Sequence, residues 1–204
     1  MRNVLMAAAL LWAPVAQAAD VWMWGLGPKV GTVVLPGRMP ISFPKKVKED
    51  DYLEKVGGDI SVGVNGVYYA NSRSRLGATA GFDLGKRFYD ANFVLLYNVA
   101  VSADAVDFLF GGGVGAGYMR WGGAGESRLG VSYFPFRAET SVLVRDQWRG
   151  YQLTAFFNLD IPSSQRYLNE GGLDTEVSWM VYPTFGLELS VMFGDFTPPR
   201  PRKK

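Results

Sequence analysis

The chain has 204 residues, 48% hydrophobic, 14% aromatic and 20% charged, with a formal net charge of +2 and neither cysteine nor histidine. Those two absences exclude thiolate and imidazole metal sites, Ser-His-Asp and Cys-His catalysis and any disulfide framework, and the near-neutral charge argues against a nucleic-acid partner. The length predicts one domain, and the 25 glycines, about twelve per cent against an average near 7%, need the same explanation as the aromatics.

Residues 1–18, MRNVLMAAALLWAPVAQA, combine Arg2, an apolar stretch from Val4 to Ala13 and the small-x-small sequence Ala16-Gln17-Ala18, which predicts a cleaved secretory signal peptide. The apolar stretch is too short for a spanning helix, which needs about 20 residues, and no later segment supplies one. The predicted domains are therefore residues 1–18 as signal, 19–196 as the folded body and 197–204 as a basic, Pro-rich tail.

From Asp59 onward the sequence alternates with period two, the signature of half-exposed strands. Eight strands are predicted: Val21 to Val34, Asp59 to Ala70, Arg75 to Lys86, Asn92 to Ser102, Val106 to Trp121, Arg128 to Val144, Gly150 to Ile161 and Asp174 to Phe193. In the last, Phe185, Leu187, Leu189, Val191 and Phe193 share one face, while Gly186, Glu188 and Ser190 share the other. Soluble strands average about 5 to 6 residues, whereas a tilted membrane-spanning strand needs about 9 to 11, so the lengths predict an all-β, closed antiparallel transmembrane β-barrel of eight strands. Two places leave ten strands as an alternative. Around Pro135, Phe136 and Arg137 the apolar parity changes sides, which predicts a bulge or a turn, and Pro183 interrupts the last strand without changing parity.

The predicted turns, Asn71 to Ser74, Ala103 to Ala105 and Arg145 to Arg149, are short and belong on the periplasmic side. The outward loops are Leu35 to Gly58, Arg87 to Ala91, Gly122 to Ser127 and Pro162 to Leu173, of which the first and last are long. In the fifth strand Gly111, Gly113, Gly115 and Gly117 share a face, expected to be the inner one, where a narrow barrel lacks room for side chains. The same run matches a loose G-x-G-x-x-G pattern, but it has no following helix to make a phosphate cradle. Aromatics near strand ends, including Trp24, Tyr69, Tyr118, Tyr133, Tyr151, Tyr182, Phe193 and Phe196, are expected in two interfacial girdles.

The glycine-rich strand ending Gly115-Ala116-Gly117-Tyr118 and the final strand Thr184-Phe185-Gly186-Leu187-Glu188-Leu189-Ser190-Val191 together resemble the small outer-membrane β-barrel superfamily of OmpA-like, OmpX-like and opacity-protein-like barrels. The resemblance implies outer-membrane localisation in a Gram-negative envelope, contact with outer-membrane lipid, and delivery by the barrel-assembly machinery. The residues expected to carry the assembly signal are Thr184, Gly186, Leu189, Val191 and Phe193. Members often end at the terminal aromatic, whereas this chain continues with Asp195, Phe196 and the tail.

Enzymatic outer-membrane barrels rely on a histidine for proton transfer near neutral pH, and this chain has none, so no catalytic, cofactor or metal site is expected. The inward carboxylates Asp83, Asp107, Asp160, Glu176 and Glu188, with Arg75, Arg137 and Arg145 as partners, predict an internal ion-pair network. Glu49, Asp50 and Asp51 lack calcium-loop spacing and read as part of a solvated loop. The function expected is structural or surface interaction through the outer loops, with no named surface partner. The alternatives are a narrow channel and a soluble periplasmic lipid-binding barrel with its apolar faces inside.

Overall fold

Long alternating segments joined by short turns satisfy their backbone groups most directly by pairing with their neighbours in sequence, and that is the arrangement of the computed structural model, which describes residues 23–34, 59–70, 73–85, 88–121, 128–168, 174–176 and 181–196. The strands are β1 (Met23–Val34), β2 (Asp59–Tyr69), β3 (Ser74–Leu84), β4 (Phe88–Ala103), β5 (Val106–Trp121), β6 (Arg128–Arg145), β7 (Arg149–Leu168), β8 (Asp174–Glu176) and β9 (Tyr182–Asp195). Every pairing is antiparallel. The ladder runs from β1 through β7, β7 pairs with β9, and β9 pairs back to β1, so the sheet closes on itself without a free edge.

The last stave is interrupted. Asp160 faces Tyr182, while Arg166 faces Glu176, which is the same offset on both sides of the gap. Segments β8 and β9 are thus one stave of an eight-stave barrel, as the constant parity through Pro183 requires, and the ten-strand alternative is removed.

At one end the connections are tight. Asp104 takes a positive φ of 50°, a conformation that aspartate tolerates better than most side chains. Asp146 Oδ1 accepts hydrogen bonds from the amides of Trp148 and Arg149 at 2.7 Å each, closing the next turn. This is the turn end; β1, β3, β5 and β7 finish with Val34, Leu84, Trp121 and Leu168 at the opposite, loop end.

Alternation sorts the side chains. Leu95, Leu153 and Leu187 on the outer face are 54%, 53% and 54% exposed, and Val64, Phe82, Phe110, Phe136 and Phe185 accompany them. The inner face buries Lys29, Arg75, Asp83, Asp90, Asp107, Arg137, Glu139, Asp160 and Glu188. A soluble lipid-binding barrel would need the reverse. An exterior of large apolar groups around a charged interior is stable only where the surroundings are hydrocarbon.

Four expectations need correction. The parity of β6 does not change at Pro135: odd residues face inward from Leu129 to Leu143. The apparent switch arises because Leu129, Val131 and Tyr133 are apolar or aromatic residues that point into the barrel. The irregularity lies instead between Ser132 and Tyr133, where Ser132 faces Ser164 but Tyr133 faces Pro162, so Ser163 of β7 is the extra residue. Inward parity on β7 accordingly passes from even positions up to Pro162 to Gln165 beyond the bulge. The segments expected to be outer loops also shorten. Residues 88–91 belong to β4 and residues 162–168 to β7, which has 20 residues and continues beyond the length a bilayer requires. In the second segment alternation fades because Ser163, Ser164, Gln165 and Arg166 are polar on both faces. Finally, Tyr69, Tyr133, Tyr182 and Phe196 are not girdle aromatics; all four are buried in the barrel.

Candidate functional site in the barrel interior

Each stave contributes inward side chains at every second residue, and an eight-stranded barrel is just wide enough for such side chains to meet across it. The interior is therefore a stack of layers. At the turn end Met23, Val67, Tyr69, Ala100, Leu109, Leu143, Met192 and Phe196 form an apolar plug. Phe196 lies just past β9 and is tied down by its backbone: its amide donates to the Gln147 carbonyl at 3.0 Å, and its carbonyl accepts from Arg145 Nη1 at 3.5 Å. Two glycines make the recess for its ring. A Cβ at Gly25 would overlap Phe196 Cζ, and one at Gly150 would stand 2.9 Å from the same atom.

On the turn side of Leu109 and Leu143, the plug residue Tyr69 donates to Asp107 Oδ2 at 2.7 Å, and Arg145 Nε donates to the same oxygen at 3.0 Å. Arg75 spans the lumen from β3 to β7, its Nη2 donating to Gln152 Oε1 at 2.8 Å. Gln152 in turn donates to Ser141 and Thr154, whose hydroxyls lie 2.9 Å apart.

The middle layer is an ion-pair chain across four staves. Lys29 on β1 meets Glu188 of β9 at 2.8 Å, Glu188 meets Arg137 of β6 at 2.7 Å, Arg137 Nε donates to Glu139 at 2.8 Å, and Asn98 on β4 donates to Glu139 at 2.7 Å. The Arg137 guanidinium also sits 4.1 Å from the centre of the Phe156 ring. Removed from water, each of these charges has a partner in hydrogen-bond contact, the condition under which buried ions are tolerated.

Toward the loop end the balance changes. Asp83 and Asp90 face each other across the β3–β4 ladder, and both are buried. Tyr133 donates to Asp90 at 2.7 Å, Asn92 Nδ2 donates to Asp90 Oδ2 at 2.8 Å, and Thr184 donates to Asp160 Oδ2 at 3.3 Å. The Tyr133 ring covers Gly117, where a Cβ would overlap the ring. Beyond lie buried Met119, Leu129, Val131 and Tyr182, the last donating to Gln165 at 2.8 Å.

The sequence-level candidates are distributed over these layers. Asp107 with Arg145 and Glu188 with Arg137 are paired, Asp83 and Asp160 sit in the loop-end layer, and the side chain of Glu176 lies outside the described residues. Arg75 finds Gln152 and not a carboxylate. Lys29, Asp90, Glu139 and Tyr133 were missed. Lys29 stands in a Gly-Pro-Lys run without clear alternation, Asp90 fell in a segment read as loop, and Glu139 and Tyr133 flank the misplaced bulge. On β5, Gly111, Gly113, Gly115 and Gly117 share parity with buried Leu109 and Met119; a Cβ on the first three would meet the backbone of β4. On β9, Thr184 points inward, while Leu189 and Phe193 are 48% and 55% exposed on the outer face. Among the described residues no group of three or more carboxylates is placed to hold a metal ion, and Glu49, Asp50 and Asp51 lie outside the described residues.

No protein-family model matches the chain, and no curated protein sequence does. Among solved structures it is similar to the outer membrane protein OprG from Pseudomonas aeruginosa, with 11% identity, a TM-score of 0.60, and coverage of 86% of this chain and 96% of that one. It is also similar to Neisserial surface protein A, with 10% identity, a TM-score of 0.53, and coverage of 85% and 97%. Barrel closure, eight staves, the apolar exterior and these two likenesses agree: the chain has the fold of the small outer-membrane β-barrels.

Proposed function

We propose that the chain is a non-enzymatic integral outer-membrane protein with a side-chain-filled interior, serving envelope structure or surface interaction through its loop end. The observation that carries this reading is the layered interior, in which an apolar plug, an ion-pair chain and a tyrosine-carboxylate layer follow one another. Each layer removes space that a conducting path would need. Residues 1–18 would direct export, Thr184, Gly186, Leu189, Val191 and Phe193 would present the final stave to the barrel-assembly machinery, and outer-membrane lipid would surround the apolar face. The strands β6 and β7, with 18 and 20 residues, carry paired backbone beyond the membrane and give the loop end a rigid base on which a partner could dock.

Purified protein in planar bilayers tests the filled interior. Silent membranes under applied voltage are expected. Reproducible stepwise currents would replace this reading with that of a narrow channel.

A further inference from the structure

Four buried cations and three carboxylates occupy the turn-end and middle layers. Lys29, Arg137, Glu139 and Glu188 balance one another, and Arg145 balances Asp107, which leaves Arg75 as the surplus charge. Arg75 is 1% exposed. Its guanidinium lies 6.0 Å from the centre of the Tyr69 ring, but only Nη2 makes a hydrogen bond, to neutral Gln152, whereas Nε and Nη1 have no hydrogen-bond partner among the described residues. The carboxylates that reach it electrostatically, Glu139 and Asp107, already hold Arg137 and Arg145. Asp83, Asp90 and Asp160 lie beyond the ion-pair chain, toward the loop end.

The surroundings of Arg75 also have donors to spare. Gln152 Nε2 donates to both Ser141 and Thr154. Those two hydroxyls share one hydrogen bond, so the second hydroxyl hydrogen remains available. Two guanidinium nitrogens and a hydroxyl hydrogen, in a layer with one excess positive charge beside the apolar plug, suit one small anion. An unpaired guanidinium in this setting is costly, and an anion in contact with it removes the cost. A divalent anion would overshoot the charge. Asn98 Oδ1, in register with Arg75 and unpartnered, is an acceptor that a water hydrating the anion would satisfy.

We propose that Arg75 holds a single monovalent anion of the halide class inside the barrel. Protein refolded in bromide and crystallised from bromide is expected to show an anomalous scattering peak beside Arg75 Nε and Nη1. Exchange of chloride for gluconate at equal ionic strength is expected to lower the unfolding midpoint of the wild type and to leave that of Arg75→Met unchanged. Density at that position without anomalous signal, meaning water only, overturns the proposal, as does an unfolding midpoint equally sensitive to chloride in both proteins. If Arg75→Met does not refold, the bromide peak in the wild type decides alone.

Discussion

Arg137 is the residue on which most of the interior converges, since it touches Glu139, Glu188 and the Phe156 ring at once. Its replacement by Met leaves Glu188 with Lys29 alone and Glu139 with Asn98 alone. Breaking a buried pair from one side costs about 3–5 kcal/mol, so Arg137→Met is expected to lower the free energy of urea unfolding in lipid by about that much. Glu139→Gln on the same background should restore part of the loss, because it removes one of the orphaned charges. Gly117 offers a steric counterpart. A Val there must displace Tyr133 from Asp90, with an expected loss of about 1–3 kcal/mol, whereas Ala116→Val, one residue away on the exposed outer face, should change stability by about 0.5 kcal/mol or less. At this scale the sequence was legible where a charge sat within clean alternation, as with Glu188 between Leu187 and Leu189. It misled where aromatics face inward, because an inward Tyr133 held by a carboxylate and an outward interfacial tyrosine have the same neighbours in the chain.

Among the elements, β9 shows most plainly how the pattern becomes structure. Its alternation places Leu187 and Leu189 outside and Glu188 inside, and it seals the barrel by pairing with both β1 and β7. Arginine on the lipid face near the bilayer midplane costs about 2–4 kcal/mol, so Leu189→Arg is expected to destabilise the folded barrel in lipid by that amount, read from equilibrium unfolding. The one irregularity of the β6–β7 pair is its bulge. Deletion of Ser163 removes the extra residue and leaves Pro162 and Gln165 both inward in unbroken alternation against β6, so the expected result is amide hydrogen exchange in residues 164–168 no faster than in the wild type, with the exchange of residues 149–160 unchanged. Strand existence and the closing order followed from period two and turn length. The bulge did not, since a one-residue irregularity is set by how two strands meet, and Pro162 and Ser163 belong to the partner of the strand that seemed irregular.

For the whole molecule, the layers act in series. Loss of the Phe196 ring should cost about 3–5 kcal/mol through the cavity it leaves, but the rest of the plug, with Asp107 and Arg145 on Tyr69, still fills the lumen. Phe196→Ala is therefore expected to be less stable and still silent in planar bilayers. Everything above depends on the apolar outer face of the closed barrel meeting lipid. Fractionation of cells combined with electrophoresis of unheated and boiled samples tests it directly. The protein is expected to sediment with the outer membrane, and its unheated form to migrate as a distinct, compact species that boiling abolishes. Recovery in the soluble periplasmic fraction without detergent, with identical migration before and after boiling, would contradict it.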